Sequence, residues 1–228
     1  MARHAWTVGV DFGATNIKIG LVNKQGRVLC GTTLLTRNHA TPTRFVDGLA
    51  KAIARLAARA HLPWAHLRGI GVGAPGLMDH HRGLIHQLVN VPGHWRGVPL
   101  RRLLHQRFRC PCAVENDANV VALGEWRFGA GRRTRDGVYV TLGTGGGGGL
   151  VVDGRLVRGH AGSAGELGHT RIARDGPRCA CGNRGCLEAY ISGPALLRRV
   201  QADTAAGLPT PLAGACRKSP SLFFELLD

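Results

Sequence analysis

A strand–glycine turn–strand arrangement occurs twice in this chain, and it constrains the fold more than any other feature of the sequence. The first copy spans residues 6–29 and has its glycine turn at residues 11–16. The second copy begins near Val138 and has its glycine turn at residues 143–145. In each copy a further turn follows the second strand. Two copies about half a chain apart predict two related lobes.

Helical periodicity follows and separates these strands. Pro42 suits the first turn of a helix whose apolar face carries four residues: Phe45, Leu49, Ile53 and Leu56. A second amphipathic helix is predicted around residues 100–108, and a third begins at Ala118. Strands that alternate with helices predict the α/β class. We place the two lobes at residues 1–117 and 118–228.

The chain is strongly basic, with 30 Lys and Arg residues against 14 Asp and Glu residues and a formal net charge of +16. Twenty-six of the basic residues are arginines, which are scattered along the chain and densest at residues 101–102, 132–135 and 198–199. No basic run alternates with aromatic residues and no helix carries a basic stripe, two patterns that are typical of nucleic-acid interfaces. We therefore attribute the charge to genome base composition and expect no nucleic-acid partner.

No segment has the composition of a membrane anchor. No stretch approaches the roughly 20 apolar residues of a membrane helix. Asp11 interrupts the first apolar run before it could form the core of a signal peptide. We expect a cytoplasmic protein without membrane contacts.

The two glycine turns are candidates for phosphate binding, because glycine lacks the Cβ that would hold an anion away from backbone N–H groups. The candidate residues are Gly13, Thr15 and Asn16 in the first turn and Gly143, Thr144 and Gly145 in the second. Either turn alone could be an ordinary hairpin turn, and neither matches a P-loop or a dinucleotide fingerprint. The presence of one such turn in each predicted lobe favours a nucleotide held between the two lobes.

Three cysteines within eight residues form the strongest local signal: Cys179, Cys181 and Cys186. With His169, ten residues upstream, they would form a Cys₃His set, which is a ligand set of structural tetrahedral zinc sites. The alternatives are a disulfide or idle thiols. A cytoplasmic setting argues against the disulfide and the clustering argues against idle thiols, so zinc is favoured.

Three carboxylates are candidates for chemistry on a substrate. Asp117 follows a predicted strand and precedes a predicted helix, so it is either a general base or the helix N-cap. Glu166 and Glu188 flank the cysteine segment and could accept hydrogen bonds from sugar hydroxyls. The alternative for each glutamate is a solvated surface acid.

Six ordered motifs resemble those of one known family. Residues 11–18 resemble the first phosphate motif of the superfamily of sugar kinases, actin and heat-shock proteins. The other motifs follow in the order seen in ROK proteins (repressors, open reading frames and sugar kinases): residues 71–76, 90–93, 115–119, 142–169 and 179–188. The resemblance covers roughly residues 6–200.

The resemblance implies two actin-like, ribonuclease H-like lobes with a cleft between them, and phosphoryl transfer from ATP to a sugar hydroxyl. Asp117 would be the catalytic residue, accepting the hydroxyl proton. Sugar hydroxyls would be bound by Asn90, Asn116, Asp117, Glu166, His169 and Glu188. ATP and its Mg²⁺ would be held by Asp11, Gly13, Ala14, Thr15, Asn16, Lys18, Gly143, Thr144 and Gly145. A structural Zn²⁺ would be held by His169, Cys179, Cys181 and Cys186.

Within the ROK kinases, residues 164–169 and 186–188 resemble glucokinases most, so glucose is the expected substrate. N-acetylmannosamine, allose and fructose stay open as substrates, and polyphosphate stays open as a donor that would use the arginines at 132–135. The expected partners are the sugar, ATP and a second copy of the chain in a homodimer. ROK repressors carry a helix-turn-helix domain ahead of the first phosphate motif. We expect none here, because that motif begins within a dozen residues of Met1.

The C-terminal part departs from the family pattern. ROK proteins continue with a further glycine-rich segment that binds adenine, whereas residues 213–228 align with no family motif. We therefore expect a C-terminally truncated, incomplete second lobe. A catalytically inactive sugar-binding remnant is the alternative to an active kinase.

Overall fold

The computed structural model describes residues 5–210. Within that range the strands are β1 (Trp6–Phe12), β2 (Asn16–Asn23), β3 (Val28–Leu35), β4 (Leu67–Ala74), β5 (Gly76–Asp79), β6 (Leu84–Leu88), β7 (Cys112–Asn116), β8 (Gly137–Leu142), β9 (Gly146–Val152) and β10 (Arg155–Val157). The helices are α1 (Pro42–Arg59), α2 (Leu100–Phe108), α3 (Asp117–Phe128), α4 (Glu188–Ile191) and α5 (Gly193–Ala205).

A five-stranded sheet in the order β3-β2-β1-β4-β7 organises the first part of the chain. β1, β2 and β3 pair antiparallel, whereas β4 and β7 run parallel to β1. In this register Asp11 pairs with Gly73, and Gly73 pairs with Glu115. Because parallel strands end at the same edge, the sheet brings together residues that lie about 100 positions apart in sequence.

Helix α1 covers one face of this sheet. Thr41 caps it by accepting a hydrogen bond from the backbone N–H of Arg44 at 3.3 Å, and Pro42 occupies the first turn. The predicted apolar face is buried, so the expected start and face of α1 are confirmed. Phe45 packs between two further buried rings, 4.3 Å from Phe12 and 5.6 Å from Trp95 between centroids.

A hairpin of β5 and β6 and the helix α2 complete the packing around β4 and β7. Three residues on one side of α2 are buried: Leu100, Leu104 and Phe108. The helix ends at Arg109, whose φ of 54° is left-handed. The predicted second amphipathic helix is therefore confirmed.

The second copy of the repeat forms a three-stranded sheet in the order β10-β9-β8. Its strand–glycine turn–strand–turn order matches that of β1, β2 and β3, as the sequence predicts. The alternation of strands and helices confirms the α/β class. No helix within residues 5–210 has both the length and the apolarity to cross a membrane.

The chain divides into two compact units, which differ from the predicted lobes. Among the described residues, the first unit takes in residues 5–137 and 150–164, and the second takes in residues 138–149 and 165–210. Helix α3 belongs to the first unit because it packs on β4 and β7. Gly73 permits this packing, since a Cβ there would come within 3.2 Å of Val120. Residues 213–228 lie outside the described residues.

The aromatic cluster around α1 supplies a test of this core. We expect Phe45→Ala to lower the free energy of unfolding by about 3–5 kcal/mol, because the ring is fully buried and a cavity would remain between Phe12 and Trp95. Urea denaturation of the variant measures the change. Val28→Ala, at a position that is 66% exposed, should change it by less than about 0.5 kcal/mol. Equal effects of the two substitutions would contradict this description of the core.

Candidate active site

The first glycine turn is held rigidly by a residue that the sequence did not single out. The backbone N–H of Gly13 donates to the carbonyl of Asn16 at 3.0 Å, which closes the turn. Thr36, fully buried after β3, donates its hydroxyl to the Gly13 carbonyl at 2.8 Å and its N–H to the Thr15 carbonyl at 2.9 Å. Its position, a polar residue directly after a strand of alternating burial, was the sequence signal that could have identified Thr36. Thr36 therefore fixes the backbone of the predicted phosphate loop.

The charged residues beside this turn remain accessible. Asp11 and Lys18 face each other across β1 and β2, with 3.7 Å between Lys18 Nζ and Asp11 Oδ2. Both side chains are more than half exposed, so the pair contributes little to stability. Ala14 and Thr15 are also exposed. Each of these residues can therefore meet a ligand without first breaking a buried interaction.

Asn116, rather than Asp117, is the N-cap of α3. Its Oδ1 accepts a hydrogen bond from the backbone N–H of Asn119 at 3.1 Å, and its Nδ2 donates to the Gly76 carbonyl at 3.2 Å. The interpretation of Asp117 as an N-cap is therefore wrong. Asp117 occupies the first helical position, where its Oδ1 accepts from the N–H of Ala118 at 2.8 Å. The cap aligns the start of α3 and sets the Asp117 carboxylate at its first turn, where the hydrogen bond from Ala118 engages Oδ1.

The electrostatic setting of Asp117 is unusual for a carboxylate. Burial raises its pKa above the ordinary value, and the negative charge of Asp11 raises it further. The hydrogen bond from Ala118 opposes these effects by stabilising the ionised form. β4 separates β1 from β7, and neighbouring strands lie about 4.8 Å apart, so the ends of β1 and β7 lie about 10 Å apart and the two aspartates are within reach of each other's field. A partly buried carboxylate with increased proton affinity can serve as a general base.

A second interaction that the sequence did not reveal supports the start of α3. Glu115 Oε2 pairs with Arg158 Nε at 2.6 Å, and both side chains are largely buried, at 12% and 30% exposed. Glu115 Oε1 accepts from the backbone of Asn116 and the side chain of Asn119, at 3.0 and 3.1 Å. The pair ties residues 150–164 to the carboxyl end of β7, within the first unit. It thereby holds the turn that carries Asp117.

Asn90 lies in the loop after β6, exposed and with a left-handed φ of 59°. The loop residues Val91 and Gly93 line a groove of about 670 Å³ together with Trp95. Gly93 has a φ of 103°, and a Cβ there would collide with the carbonyl oxygen of Ala40. The loop therefore depends on glycine, whereas the side chain of Asn90 is free to meet a ligand.

In the second unit, a hydrogen bond within the glycine turn at residues 143–145 and another from the start of α5 hold that turn. The N–H of Gly143 donates to the Gly145 carbonyl at 3.0 Å, and the N–H of Gly193 donates to the Gly143 carbonyl at 2.8 Å. Gly193 opens α5, so the positive end of that helix lies against the turn. The side chain of Thr144 is exposed. This arrangement suits the binding of an anion at the turn.

Glu188 connects this turn to the cysteine segment. Its Oε2 accepts from the backbone N–H of Gly146 at 2.9 Å, and its Oε1 accepts from the Cys179 thiol at 3.5 Å. Glu166 lies beside His169, with 3.8 Å between its Oε2 and the Nε2 of the imidazole. Both carboxylates thus lie next to predicted metal ligands. Neither is an isolated surface acid.

The four predicted metal ligands come together. One donor atom from each residue lies within 4.8 Å of every other in the set His169, Cys179, Cys181 and Cys186. Cys179 Sγ is 3.7 Å from His169 Nδ1, and Cys181 Sγ is 3.7 Å from Cys186 Sγ. Zinc–sulfur bonds of about 2.3 Å in a tetrahedron place sulfurs about 3.8 Å apart. The donor set fits Zn²⁺, and the disulfide alternative is wrong because all three cysteines are free.

Each unit therefore assembles part of the predicted site. The first unit gathers Asp11, the turn at residues 13–16, Asn116 and Asp117 at the edge where β1, β4 and β7 end. The second gathers the turn at residues 143–145, both glutamates and the four metal ligands. Lys18 pairs with Asp11 of the first set, whereas Asn90 lies in the loop after β6. The sequence missed Thr36, Glu115 and Arg158.

The effect of the Asp11 charge on the pKa of the Asp117 carboxyl can be measured directly. We expect Asp11→Asn to lower the pKa of the Asp117 carboxyl, because it removes a negative charge that disfavours ionisation, while burial keeps that pKa above the ordinary value. Carboxyl-carbon NMR titration reports this pKa without any dependence on activity. Asp47→Asn, at an exposed position on α1, should leave it unchanged. An Asp117 pKa that is unaffected by Asp11→Asn would contradict the proximity described above.

Two curated relatives show what the chain is similar to. The chain is 40% identical to a glucokinase of Streptomyces coelicolor over 194 residues, which is 84% of this chain and 58% of that protein. It is 36% identical to a xylose repressor of Caldicellulosiruptor bescii over 190 residues, 83% of this chain and 47% of that protein. The chain thus spans about half the length of these relatives.

A solved structure and a family model agree with these relatives. The crystal structure of a ROK family glucokinase from Streptomyces griseus in complex with glucose and AMPPNP superposes with a TM-score of 0.72 at 39% identity, covering 89% of this chain and 62% of that one. The model of the ROK family matches residues 7–220, a range that reaches into the segment 213–228 and extends past the motifs recognised in the sequence. The chain belongs to the ROK family, as its six ordered motifs predict.

Proposed function

We propose that this chain carries the machinery of an ATP-dependent sugar kinase, which transfers the terminal phosphoryl group of ATP to a hexose hydroxyl. The observation that carries the proposal is the partly buried carboxylate of Asp117, with its raised pKa, at the sheet edge that also holds Asp11 and the turn at residues 13–16. Phosphoryl transfer needs positioning, charge neutralisation and one base, and this edge offers all three.

Each residue of that edge has a defined part in the reaction. Asp117 accepts the proton of the attacking hydroxyl, so that the oxygen gains nucleophilicity as it approaches the phosphorus. Backbone N–H groups of the turn at residues 13–16 and the ammonium of Lys18 hold phosphate oxygens. The carboxylate of Asp11 is a hard oxygen ligand suited to Mg²⁺, which, when bound with ATP, neutralises phosphate charge. In the second unit the turn at residues 143–145 takes further phosphate oxygens.

Sugar hydroxyls are recognised by groups that both donate and accept hydrogen bonds. Glu166 and Glu188 supply acceptors, and Asn90 and Asn116 supply amides. His169 directs Nδ1 toward the cysteines and Nε2 toward Glu166, so a metal on Nδ1 would leave Nε2 as a fixed donor. We further propose that the metal is a structural Zn²⁺ on His169 and the three cysteines, because four protein ligands close the site.

Glucose is the sugar we propose first. Two similarities support glucose. The Streptomyces coelicolor relative is a glucokinase, and the Streptomyces griseus glucokinase structure contains glucose and AMPPNP. N-acetylmannosamine, allose and fructose remain the alternative substrates, and polyphosphate the alternative donor. The expected homodimer, the cytoplasmic location and the lack of nucleic-acid and membrane contacts remain predictions.

Replacement of the proposed base tests the function. We expect the 228-residue chain to form glucose 6-phosphate from glucose and magnesium-ATP, and Asp117→Asn to reduce the rate by about 10²- to 10⁴-fold. Since burial raises the pKa of Asp117, the folded state favours its protonated form, and its ionised form destabilises the fold above that pKa. The variant should therefore be at least as stable as the parent at pH 7, which thermal unfolding measures.

Matched controls separate the possible outcomes. Asp47→Asn removes the same charge at an exposed position and should keep the parent rate. No product from folded parent protein, with glucose binding retained, would overturn the kinase proposal and favour a sugar-binding remnant or a sugar-responsive regulator. The 36% identity to a xylose repressor makes the regulator the specific competitor. A fully active Asp117→Asn would contradict the assignment of the base.

The metal proposal has its own test. Purified protein should contain one zinc ion per chain, and Cys186→Ser should lose it because the fully buried Cys186 is one of the four ligands. Cys30→Ser, in the first unit, should keep the zinc. Atomic absorption measures the metal, and a chelator should lower the unfolding temperature of the parent. Metal-free parent protein with an unchanged unfolding temperature would contradict the proposal.

A further inference from the structure

A second groove of the first unit has no part in the proposed phosphoryl transfer. It measures about 730 Å³ and reaches Cys112, the first residue of β7, whereas Asp117 follows the last residue of that strand. Four basic side chains line it: Arg82, Arg101, Arg102 and His105. The described residues of its lining include no carboxylate, and three of them are apolar: Leu84, Pro99 and Pro111.

The fold brings these basic residues together from two separate segments. The backbone N–H of Arg101 donates to the Gly83 carbonyl at 3.2 Å, which joins the turn before β6 to the first turn of α2. Gly83 has a φ of 64°, and a Cβ there would collide with the Cβ of Arg101, so the contact depends on glycine. His105 is oriented by the bond between its Nδ1 and the Cys110 carbonyl, at 2.9 Å. The basic lining is thus built by tertiary contacts.

The charge of this groove is largely uncompensated. Across residues 5–210, arginine ion pairs are formed by Arg135, Arg158 and Arg199, and neither Arg101 nor Arg102 has one. Arg82 is partly balanced. The backbone N–H of Arg82 donates to Asp79 Oδ1 at 2.9 Å. This hydrogen bond, then one from the backbone N–H of His81 and then the Arg82 charge lower the pKa of Asp79.

The start of α2 adds to the positive potential. The first turn of this helix contains no acidic residue, and the side chain of its N-cap, Pro99, offers no hydrogen bond. The positive end of the helix dipole therefore coincides with Arg101 and Arg102, an arrangement that disfavours the unliganded state and favours a bound anion. By contrast, Arg158, which also belongs to the first unit, forms an ion pair with Glu115.

We propose that this groove binds a small organic phosphate, with the phosphate dianion on Arg101 and Arg102 and the carbon part of the ligand over Leu84, Pro99 and Pro111. Guanidinium groups pair with phosphate oxygens through two parallel hydrogen bonds. The apolar lining provides area for a ring or chain that inorganic phosphate lacks. The site is separate from the proposed kinase machinery, so either can be wrong without the other.

Titration of the full 228-residue chain with phenyl phosphate tests this site at low ionic strength. We expect shifts of the backbone amides of residues 82–84 and 100–105 in NMR spectra, and calorimetric binding several-fold tighter than that of inorganic phosphate. Arg101→Gln and Arg102→Gln should each weaken phenyl phosphate about tenfold, since a charge-assisted hydrogen bond contributes roughly that factor.

Two controls keep the result specific. Arg55→Gln, at an exposed position on α1, removes the same charge and should leave the affinity unchanged. Asp117→Asn should also retain this binding, whatever its effect on phosphoryl transfer. The proposal would be overturned by equal weakening in Arg55→Gln, which indicates non-specific attraction to a basic protein. Amide shifts confined to residues 13–16, or unchanged affinity in Arg101→Gln and Arg102→Gln, would overturn it as well.

Discussion

The parallel register of β1, β4 and β7 is the constraint on which the rest of the first unit depends. It sets Asp11, Gly73 and Glu115 side by side at one edge, although the chain separates them by about 100 residues. Gly73 leaves room for α3 at that edge, because a Cβ there would come within 3.2 Å of the Val120 side chain. A charged residue at the start of α3 is therefore delivered to the same place as the glycine turn after β1. Strand pairing alone therefore determines which residues meet at this edge of the sheet.

The position of Asp117 carries an energetic cost that its neighbours offset. Burial and the charge of Asp11 both disfavour its ionised form, whereas hydrogen bonds from the backbone N–H groups of Ala118 and of Asp117 itself favour it. The start of α3 is nevertheless well determined, because Asn116 caps the helix and the buried pair of Glu115 and Arg158 holds the preceding strand end. A buried ion pair of this kind is weak support for global stability, but it fixes geometry well. The rigid start of α3 thus holds Asp117 in place although its surroundings disfavour the ionised carboxylate, a combination that is common at functional sites.

The sequence predicts features that depend on nearby residues, but it does not predict contacts between residues that lie far apart in the chain. The start of α1 follows from Thr41, Pro42 and helical periodicity, and the metal ligands follow from cysteine spacing. Thr36 contacts a turn 23 residues away and Arg158 a glutamate 43 residues away, and no spacing rule connects such positions. The cap of α3 was assigned one residue too late because Asn116 and Asp117 are both good cap formers, and only backbone geometry decides between them. The arginines that look scattered in sequence likewise form a groove only after β6 and α2 have packed.

The two copies of the repeat share a backbone pattern but differ in what holds their glycine turns. In the first copy a buried threonine from the adjoining strand end supports the turn, so its rigidity comes from the core of that unit. In the second copy the support comes from Gly193 at the start of α5 and from Glu188, which also contacts Cys179. Glu188 follows the predicted metal ligand Cys186 by two residues, so four ligands around one metal ion would fix the position of Glu188 and, through it, the second turn. The proposed metal site would in this way replace a hydrophobic core as the support of the proposed phosphate-binding turn.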